Sequence, residues 1–326
     1  MAALKAFQQL IEEGITRVPL RGSPAELYEP LNYVLGLGGK RVRPLLTLIG
    51  CDLFDGNAEE AVDAAIAIEL FHNFSLVHDD IMDNAPLRRN KETVHQKWNA
   101  STAILSGDAM LIKAYEQLAK TPPHCLVPVF QLFNQTALEV CEGQQLDMNF
   151  EKQSRVSIPQ YLHMISLKTA VLLAASLQIG ALIGKARAGD QERIYRFGKN
   201  MGIAFQLQDD ILDVYGNPEA FGKITGGDIL SNKKTYLLLK AMELAEHMPY
   251  RKEELMQWIH APQFVPQEKV EAVTEIYNQL NVRSLAEQET KKYYELAVSE
   301  LQHIPADEGK KAALQTLAES LLNRTH

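Results

Sequence analysis

Cysteine is scarce, with Cys51, Cys125 and Cys141 the only three in 326 residues. An odd number with no close pairing motif excludes a disulfide framework and a cysteine-based zinc site, and it fits a reducing cytoplasm. Long apolar runs are lacking too. The most apolar stretch, residues 170–184, carries Ser176 and Gln178. It is shorter and more polar than a membrane span and reads as a buried core helix. Residues 1–14 carry Glu12 and Glu13 with no apolar leader segment, so no secretory signal is read there. A basic excess is missing as well: 33 Lys and Arg stand against 41 Asp and Glu, a net charge of −8. Such a chain repels nucleic acid and acidic membranes overall, so any phosphate chemistry must use local clusters of cations. Alternating β-branched runs bounded by hairpin turns are also absent, which leaves sheet content near nil.

What is present is helical. The composition, 46% hydrophobic and 23% charged, is that of an ordinary globular protein with a large core. Ser23-Pro24-Ala25-Glu26 reads as an N-cap followed by a first-turn proline and a capping-box glutamate. Asn57 caps a long helix, and from Ala61 to Met82 apolar residues lie all round it, as expected of a central, buried helix. Candidate breaks fall at Thr121-Pro122-Pro123 and at residues 215–227, 260–266 and 304–309, none of them a low-complexity linker. The tail from Gln267 is more polar and reads as peripheral amphipathic helices. The expectation is one all-α domain over residues 1–326.

Two stretches echo each other 130 residues apart: Asp79-Asp80-Ile81-Met82-Asp83 and Asp209-Asp210-Ile211-Leu212-Asp213. On a helix the first and last aspartates of each lie one turn apart, within about 40° of each other. One such motif reads equally as a solvated acidic turn. Two, each set among apolar neighbours, need a compensating cation. Hard oxygen ligands select Mg²⁺, which completes its shell with water and phosphate oxygens. Cations accompany both motifs. Gly38-Gly39-Lys40-Arg41-Val42-Arg43-Pro44 sets three at a glycine-rich turn into a helix, Arg88-Arg89 follows the first motif, and Lys223, Lys233 and Lys234 follow the second. His72 shares the face of Asp79, seven residues on, and reads as a substrate contact or as a packing residue.

Taken together, these motifs resemble the trans-polyprenyl (isoprenyl) diphosphate synthase family, short-chain type, over about residues 36–240. The match comprises G-G-K-R-x-R-P, the first aspartate motif with its Arg-Arg, Lys168-Thr169, F-Q-x-x-D-D-x-x-D from Phe205, and G-K…G-D…K-x-T ending at Thr235. The resemblance implies an all-α bundle of antiparallel helices around a deep central cavity, usually a homodimer. It implies a Mg²⁺-dependent head-to-tail prenyltransferase condensing isopentenyl diphosphate with dimethylallyl, geranyl or farnesyl diphosphate. Asp79, Asp83 and Asp209 would bind Mg²⁺, three ions with substrate present, supported by Asp80 and Asp213. Lys40, Arg43, His72 and Arg89 would hold isopentenyl diphosphate, and Arg88, Lys168, Lys223 and Lys233 the allylic diphosphate. Lys168, Thr169, Gln206, Asp209, Asp210 and Asp213 would form the catalytic set, with Thr169 and Gln206 facing the developing cation. The sequence departs from the family at Asn90, where glycine is common, and at Asn84, where an acidic residue is frequent.

In the family, the residues four and five positions before the first aspartate form the cavity floor. Here they are Ser75 and Phe74, with Phe71 a further turn down, a pattern resembling C20 producers, with C15 open. A terpene cyclase would usually carry N-D-x-x-S-x-x-x-E as the second motif. A non-catalytic subunit of a heteromeric prenyltransferase would typically have lost aspartates. Neither departure is found here.

Overall fold

A computed structural model describes residues 2–216 and 226–322. Among them the chain is almost wholly helical: α1 Ala2–Arg17, α2 Ala25–Gly36, α3 Val42–Leu53, α4 Val62–Met82, α5 Val94–Lys97, α6 Ala100–Leu118, α7 Leu126–Lys152, α8 Ile158–Ile165, α9 Val171–Ile183 and α10 Ala188–Tyr215. Further helices follow over Gly227–Leu230, Tyr236–Ala245, Pro249–His260, Pro266–Gln279, Val282–Gln302 and Glu308–Leu322. Sheet is confined, among the described residues, to a hairpin in which Leu87 faces Glu92 and Arg88 faces Lys91.

The chain forms two compact units. One comprises Met1–Ala137, Leu172–Arg196 and Leu301–Leu314, and the other Leu138–Val171, Phe197–Glu300 and Gln315–His326. The first is built around α4, where Ala64, Ala65, Ile66, Ala67, Ile68, Leu70 and Phe71 are all buried. Apolar residues on every side let it take α1, α3 and α6 as neighbours at once. Its start differs in detail from the sequence reading. The Asn57 carboxamide accepts from Glu59 N at 3.1 Å and caps a 3₁₀ turn, Ala58–Ala61, which then feeds α4. Upstream, Pro24 is extended (φ −74°, ψ 147°) and itself occupies the N-cap position of α2, which starts at Ala25.

The second unit has its own core. Leu207, Ile211 and Val214 of α10 pack with Tyr161, Leu237, Leu238, Ala241, Val273, Ile276 and Tyr277. The tail helix Pro266–Gln279 is therefore part of a core, contrary to the peripheral reading, because its apolar residues recur at helical spacing. In the first unit, Lys310 donates to Asp52 O at 2.6 Å and to Asp55 Oδ1 at 2.9 Å. The apolar stretch marked at 170–184 belongs to a longer helical run, Ile158–Ile183. That run has the length and composition to cross a membrane, and 78% of its most apolar window is buried within the protein.

Candidate active site

In the first unit, Gly38 (φ 71°), Gly39 (φ 139°) and Arg41 (φ 46°) turn the chain sharply into α3. Arg89 Nη1 donates to Gly38 O, and a Cβ on Gly39 would lie 2.8 Å from Arg89 Nη2. Glycine is thus required there both for its φ and for the approach of a guanidinium. The three cations of this motif have different surroundings. Arg41 is buried, with Nη1 2.5 Å from Glu69 Oε1 and Nη2 2.6 Å from Leu35 O. Asn73 Nδ2 donates to the same Glu69 oxygen at 2.9 Å, so Arg41 belongs to the frame. Lys40 is exposed, and Arg43 Nη1 lies 3.1 Å from His72 Nε2. Burial, then the charges of Arg43, Arg89, Arg88 and Arg41, push the His72 pKa well below its usual value. The ring is neutral, and because Arg43 can only donate, Nε2 accepts and the ring proton sits on Nδ1.

Asp79 and Asp83 stand at the C-terminal end of α4, which closes in a Schellman arrangement. Ala85 N donates to Asp80 O at 2.9 Å and Asn84 N to Ile81 O at 3.2 Å, with Asn84 left-handed at φ 48°. Beyond it, Arg89 (φ 53°) and Asn90 (φ 60°) are the two central residues of the hairpin turn, both in the conformation a type I′ turn demands. Asn84 and Asn90 are the two positions at which the sequence departs from the family pattern. At both, asparagine is the side chain that best tolerates a positive φ. The turn aims Arg88 back at α4. Its Nε lies 2.9 Å from each oxygen of Asp80, and its Nη2 lies 2.7 Å from Oδ1. Burial raises the Asp80 pKa, with Arg88 opposing it.

Below the aspartates, Phe71 lies tilted against Phe74 (centroids 5.6 Å apart, rings at 50°) and edge-on to Phe133 of α7 (5.4 Å), while Phe74 meets His78 at 4.7 Å. Ser75 Oγ donates to His72 O at 2.8 Å. The residues expected to form the chain-length floor thus lie in or beside one aromatic cluster.

In the second unit, Lys168 and Thr169 occupy a π-helical segment, Ser166–Ala170, between α8 and α9. One extra residue per turn opens the helix locally, a feature frequent at functional sites. Two glycines admit it: a Cβ on Gly143 would lie 2.3 Å from Lys168 N, and one on Gly202 would lie 2.5 Å from Ala170 Cα. Lys168 Nζ sits 2.6 Å from Asp147 Oδ2. The Thr169 hydroxyl donates to Gln206 Oε1 at 3.1 Å, and Gln206 Nε2 donates to Asp210 Oδ1 at 3.2 Å. Asp210 Oδ2 accepts from the Tyr161 hydroxyl and, at 3.3 Å, from Tyr236 N. Burial, then the charge of Asp228, raise Asp210 to about 7 against the Tyr161 and Gln206 hydrogen bonds and Lys233. Asp209 is half-buried one residue before. Asp213 Oδ2 accepts from Asp228 N at 3.0 Å, and its carbonyl accepts from Gly226 N at 2.7 Å. Lys233 is exposed in the loop that follows, and Lys223 lies outside the described residues.

Glu69, Asn73, Asp147 and Tyr161 escape a motif-based reading, because each is defined by a partner distant in the chain or by burial, whereas Asp228 already stands in the G-D element of the family pattern. Among the described residues no group of three or more His, Cys, Asp or Glu could by itself hold a metal. The carboxylates come as spaced pairs of hard oxygen donors, the set expected of Mg²⁺, which takes few protein ligands and fills its octahedron with water and phosphate.

The polyprenyl synthetase family model matches residues 24–280. A geranylgeranyl diphosphate synthase of Sulfolobus acidocaldarius is 42% identical over 231 residues, 70% of each chain. One of Saccharolobus solfataricus is 37% identical over 303 residues, 91% of this chain and 90% of that one. A crystal structure of geranylgeranyl pyrophosphate synthase superposes with a TM-score of 0.93 at 43% identity, covering 99% of both chains. On the strength of a match that takes in both aspartate motifs, the glycine-rich basic turn at Gly38–Pro44 and the Lys168-Thr169 turn, the chain belongs to the polyprenyl synthetase family.

Proposed function

We propose that this chain condenses isopentenyl diphosphate head-to-tail with an allylic diphosphate to give a C20 all-trans prenyl diphosphate, with residues 1–326 acting as one polyprenyl synthetase-like domain. The observation that carries the reading is the hydrogen-bonded series Thr169, Gln206, Asp210 and Tyr161, which starts at the π-helical turn beside Lys168. The Thr169 proton is committed to Gln206, so the hydroxyl oxygen keeps its lone pairs for a cation. Gln206 is held in that orientation from the buried side. Such preoriented dipoles stabilise an allylic carbocation without presenting a nucleophilic charge.

Asp79, Asp83 and Asp209, backed by Asp80 and Asp213, would supply the donors for Mg²⁺, three ions with substrate present, whose charge would stabilise departing pyrophosphate. Lys40, Arg43, His72 and Arg89 hold isopentenyl diphosphate. His72, being neutral, contributes hydrogen bonding alone. Arg88, Lys168, Lys223 and Lys233 hold the allylic diphosphate. When its C–O bond breaks, the bonding pair leaves with pyrophosphate, and the isopentenyl double bond attacks the cation within one bound assembly. The proton lost from the isopentenyl unit passes to pyrophosphate.

We further propose a homodimer working in the cytoplasm. No disulfide joins Cys51, Cys125 and Cys141. Helix α6 leaves Ile104, Leu105 and Ile112 exposed (46%, 60% and 61%), an apolar stripe suited to a second copy. Nothing observed favours a cyclase or a non-catalytic subunit, since all six motif aspartates are retained.

The test is incubation of purified protein with Mg²⁺, isopentenyl diphosphate and each of dimethylallyl, geranyl and farnesyl diphosphate, followed by chain-length analysis. A C20 product is expected, and the absence of prenyl product from every primer would overturn the proposal. Phe74→Ala and Phe71→Ala should lengthen the product. An unchanged distribution removes them as the floor.

A further inference from the structure

We infer that Lys269, which lies outside every motif of the family pattern, is a positioning residue for Lys233 and acts through Asn232. The inference rests on the reading that Lys233 holds the allylic diphosphate.

Lys269 lies on the helix Pro266–Gln279 and is only 1% exposed. Among the described residues no carboxylate pairs with its ammonium. Its Nζ lies 2.8 Å from Asn232 Oδ1, 3.4 Å from Leu230 O and 4.1 Å from the centroid of the Phe264 ring. A buried cation without a counter-charge is costly, and burial depresses its pKa. A methionine would fill similar volume without that cost, so the amine is explained by what it holds.

It holds a residue in the left-handed conformation. Asn232 is left-handed at φ 53°, and its Nδ2 donates to Ile259 O at 3.0 Å. The carboxamide is therefore gripped at both ends, its oxygen by Lys269 and its nitrogen by Ile259. The next residue is Lys233. Its own N donates to Asp228 O at 2.9 Å, and its carbonyl accepts from Thr235 N at 2.8 Å. The far end of this segment is anchored to the same helix. Gly226 (φ 82°) abuts Val270, whose Cγ atoms would lie 2.7 Å from a Cβ at that glycine. Residues 226–232 thus form an arch standing on the helix Pro266–Gln279 at both ends, tied to Asp213 through Asp228 N. Freeing the foot beside Lys233 would let that cation wander from the diphosphate while leaving the isopentenyl diphosphate residues untouched.

The experiment compares Lys269→Met, which keeps bulk and removes the donors, with Asn232→Gly, which keeps the left-handed backbone and removes the carboxamide. Each should raise the KM for the allylic diphosphate about tenfold, the loss of one charge-assisted hydrogen bond. The KM for isopentenyl diphosphate should stay within about twofold. The double variant should be no worse than either single one, because both cut the same link. Lys233→Met is the control. If it leaves the allylic KM unchanged, the reading of Lys233 fails. If it raises that KM while Lys269→Met and Asn232→Gly do not, the positioning role alone is overturned. A parallel rise in both KM values with a fall in thermal midpoint would mark Lys269 as merely structural, and would also overturn it.

Discussion

At the scale of single residues, Arg41 and Arg43 are two positions apart in one motif yet differ in kind. Arg41→Met would strand Glu69 as a buried charge, since their ion pair lies at 2.5 Å with both side chains almost inaccessible. A loss of about 3–5 kcal/mol in denaturant unfolding is expected. Arg43→Met should barely move the unfolding midpoint and instead raise the KM for isopentenyl diphosphate tenfold or more, about 1.5–3 kcal/mol. His72 carries a pH prediction. Its pKa is depressed in the folded state, so the unfolded chain takes up the proton first as pH falls. The contribution of His72 to the stability of the metal-free protein should therefore be full above about pH 6.5 and decline below it, by at most about 1.4 kcal/mol per pH unit, while Asp210, raised to about 7, contributes with the opposite sign over the same window. In urea denaturation the wild type should lose stability relative to His72→Gln as pH falls from 7 to 5, a difference in which the Asp210 contribution cancels. The sequence announces a basic loop but cannot separate its frame from its site, because that division depends on Glu69 and Leu35 being at hand. The two asparagines that break the family pattern are equally opaque until φ is known. Both then follow from the turn each must make.

At the scale of elements, α4 is the most legible part of the chain, since apolar residues all round a long helical pattern leave few alternatives to burial. The π-helical turn is the least legible. Nothing in Ser166-Leu167-Lys168-Thr169-Ala170 signals an extra residue, and the cue lies in glycines on two other helices. Gly143→Ala would drive a Cβ to 2.3 Å from Lys168 N, against backbone that cannot step aside. It should cost about 1–3 kcal/mol and, by shifting Lys168 and Thr169, lower turnover about tenfold or more. Gly189, with open space around its Cβ position, is the contrast. Gly189→Ala should stabilise α10 by about 0.5–1 kcal/mol and leave turnover unchanged. Thermal midpoints and steady-state rates measured side by side would separate these outcomes.

At the scale of the whole molecule, the all-α class is legible from what is missing as much as from what is present, and the short hairpin at residues 87–92 escapes a pattern search because each strand has two residues. The tail is misread as peripheral because its polar composition hides Val273, Ile276 and Tyr277, which are buried in the second unit. Assembly carries its own prediction. Ile112→Glu places a charge in the exposed stripe of α6 and should convert a dimer to a monomer in sedimentation velocity, with helical content by circular dichroism unchanged. A wild-type protein that sediments as a monomer at micromolar concentration would remove the stripe as a self-association surface.

The turn at residues 166–170 carries one amino acid more than a regular helix needs. Deleting a single residue there would let α8 run into α9 with unbroken i to i−4 hydrogen bonding, while redirecting the side chains of the segment itself, Lys168 and Thr169 among them. The shortened protein would have the more regular helix and the wrong face toward Gln206. Regularity and chemistry are in opposition at that one point in the chain, and a screen that selected for stability alone would be drawn toward erasing it.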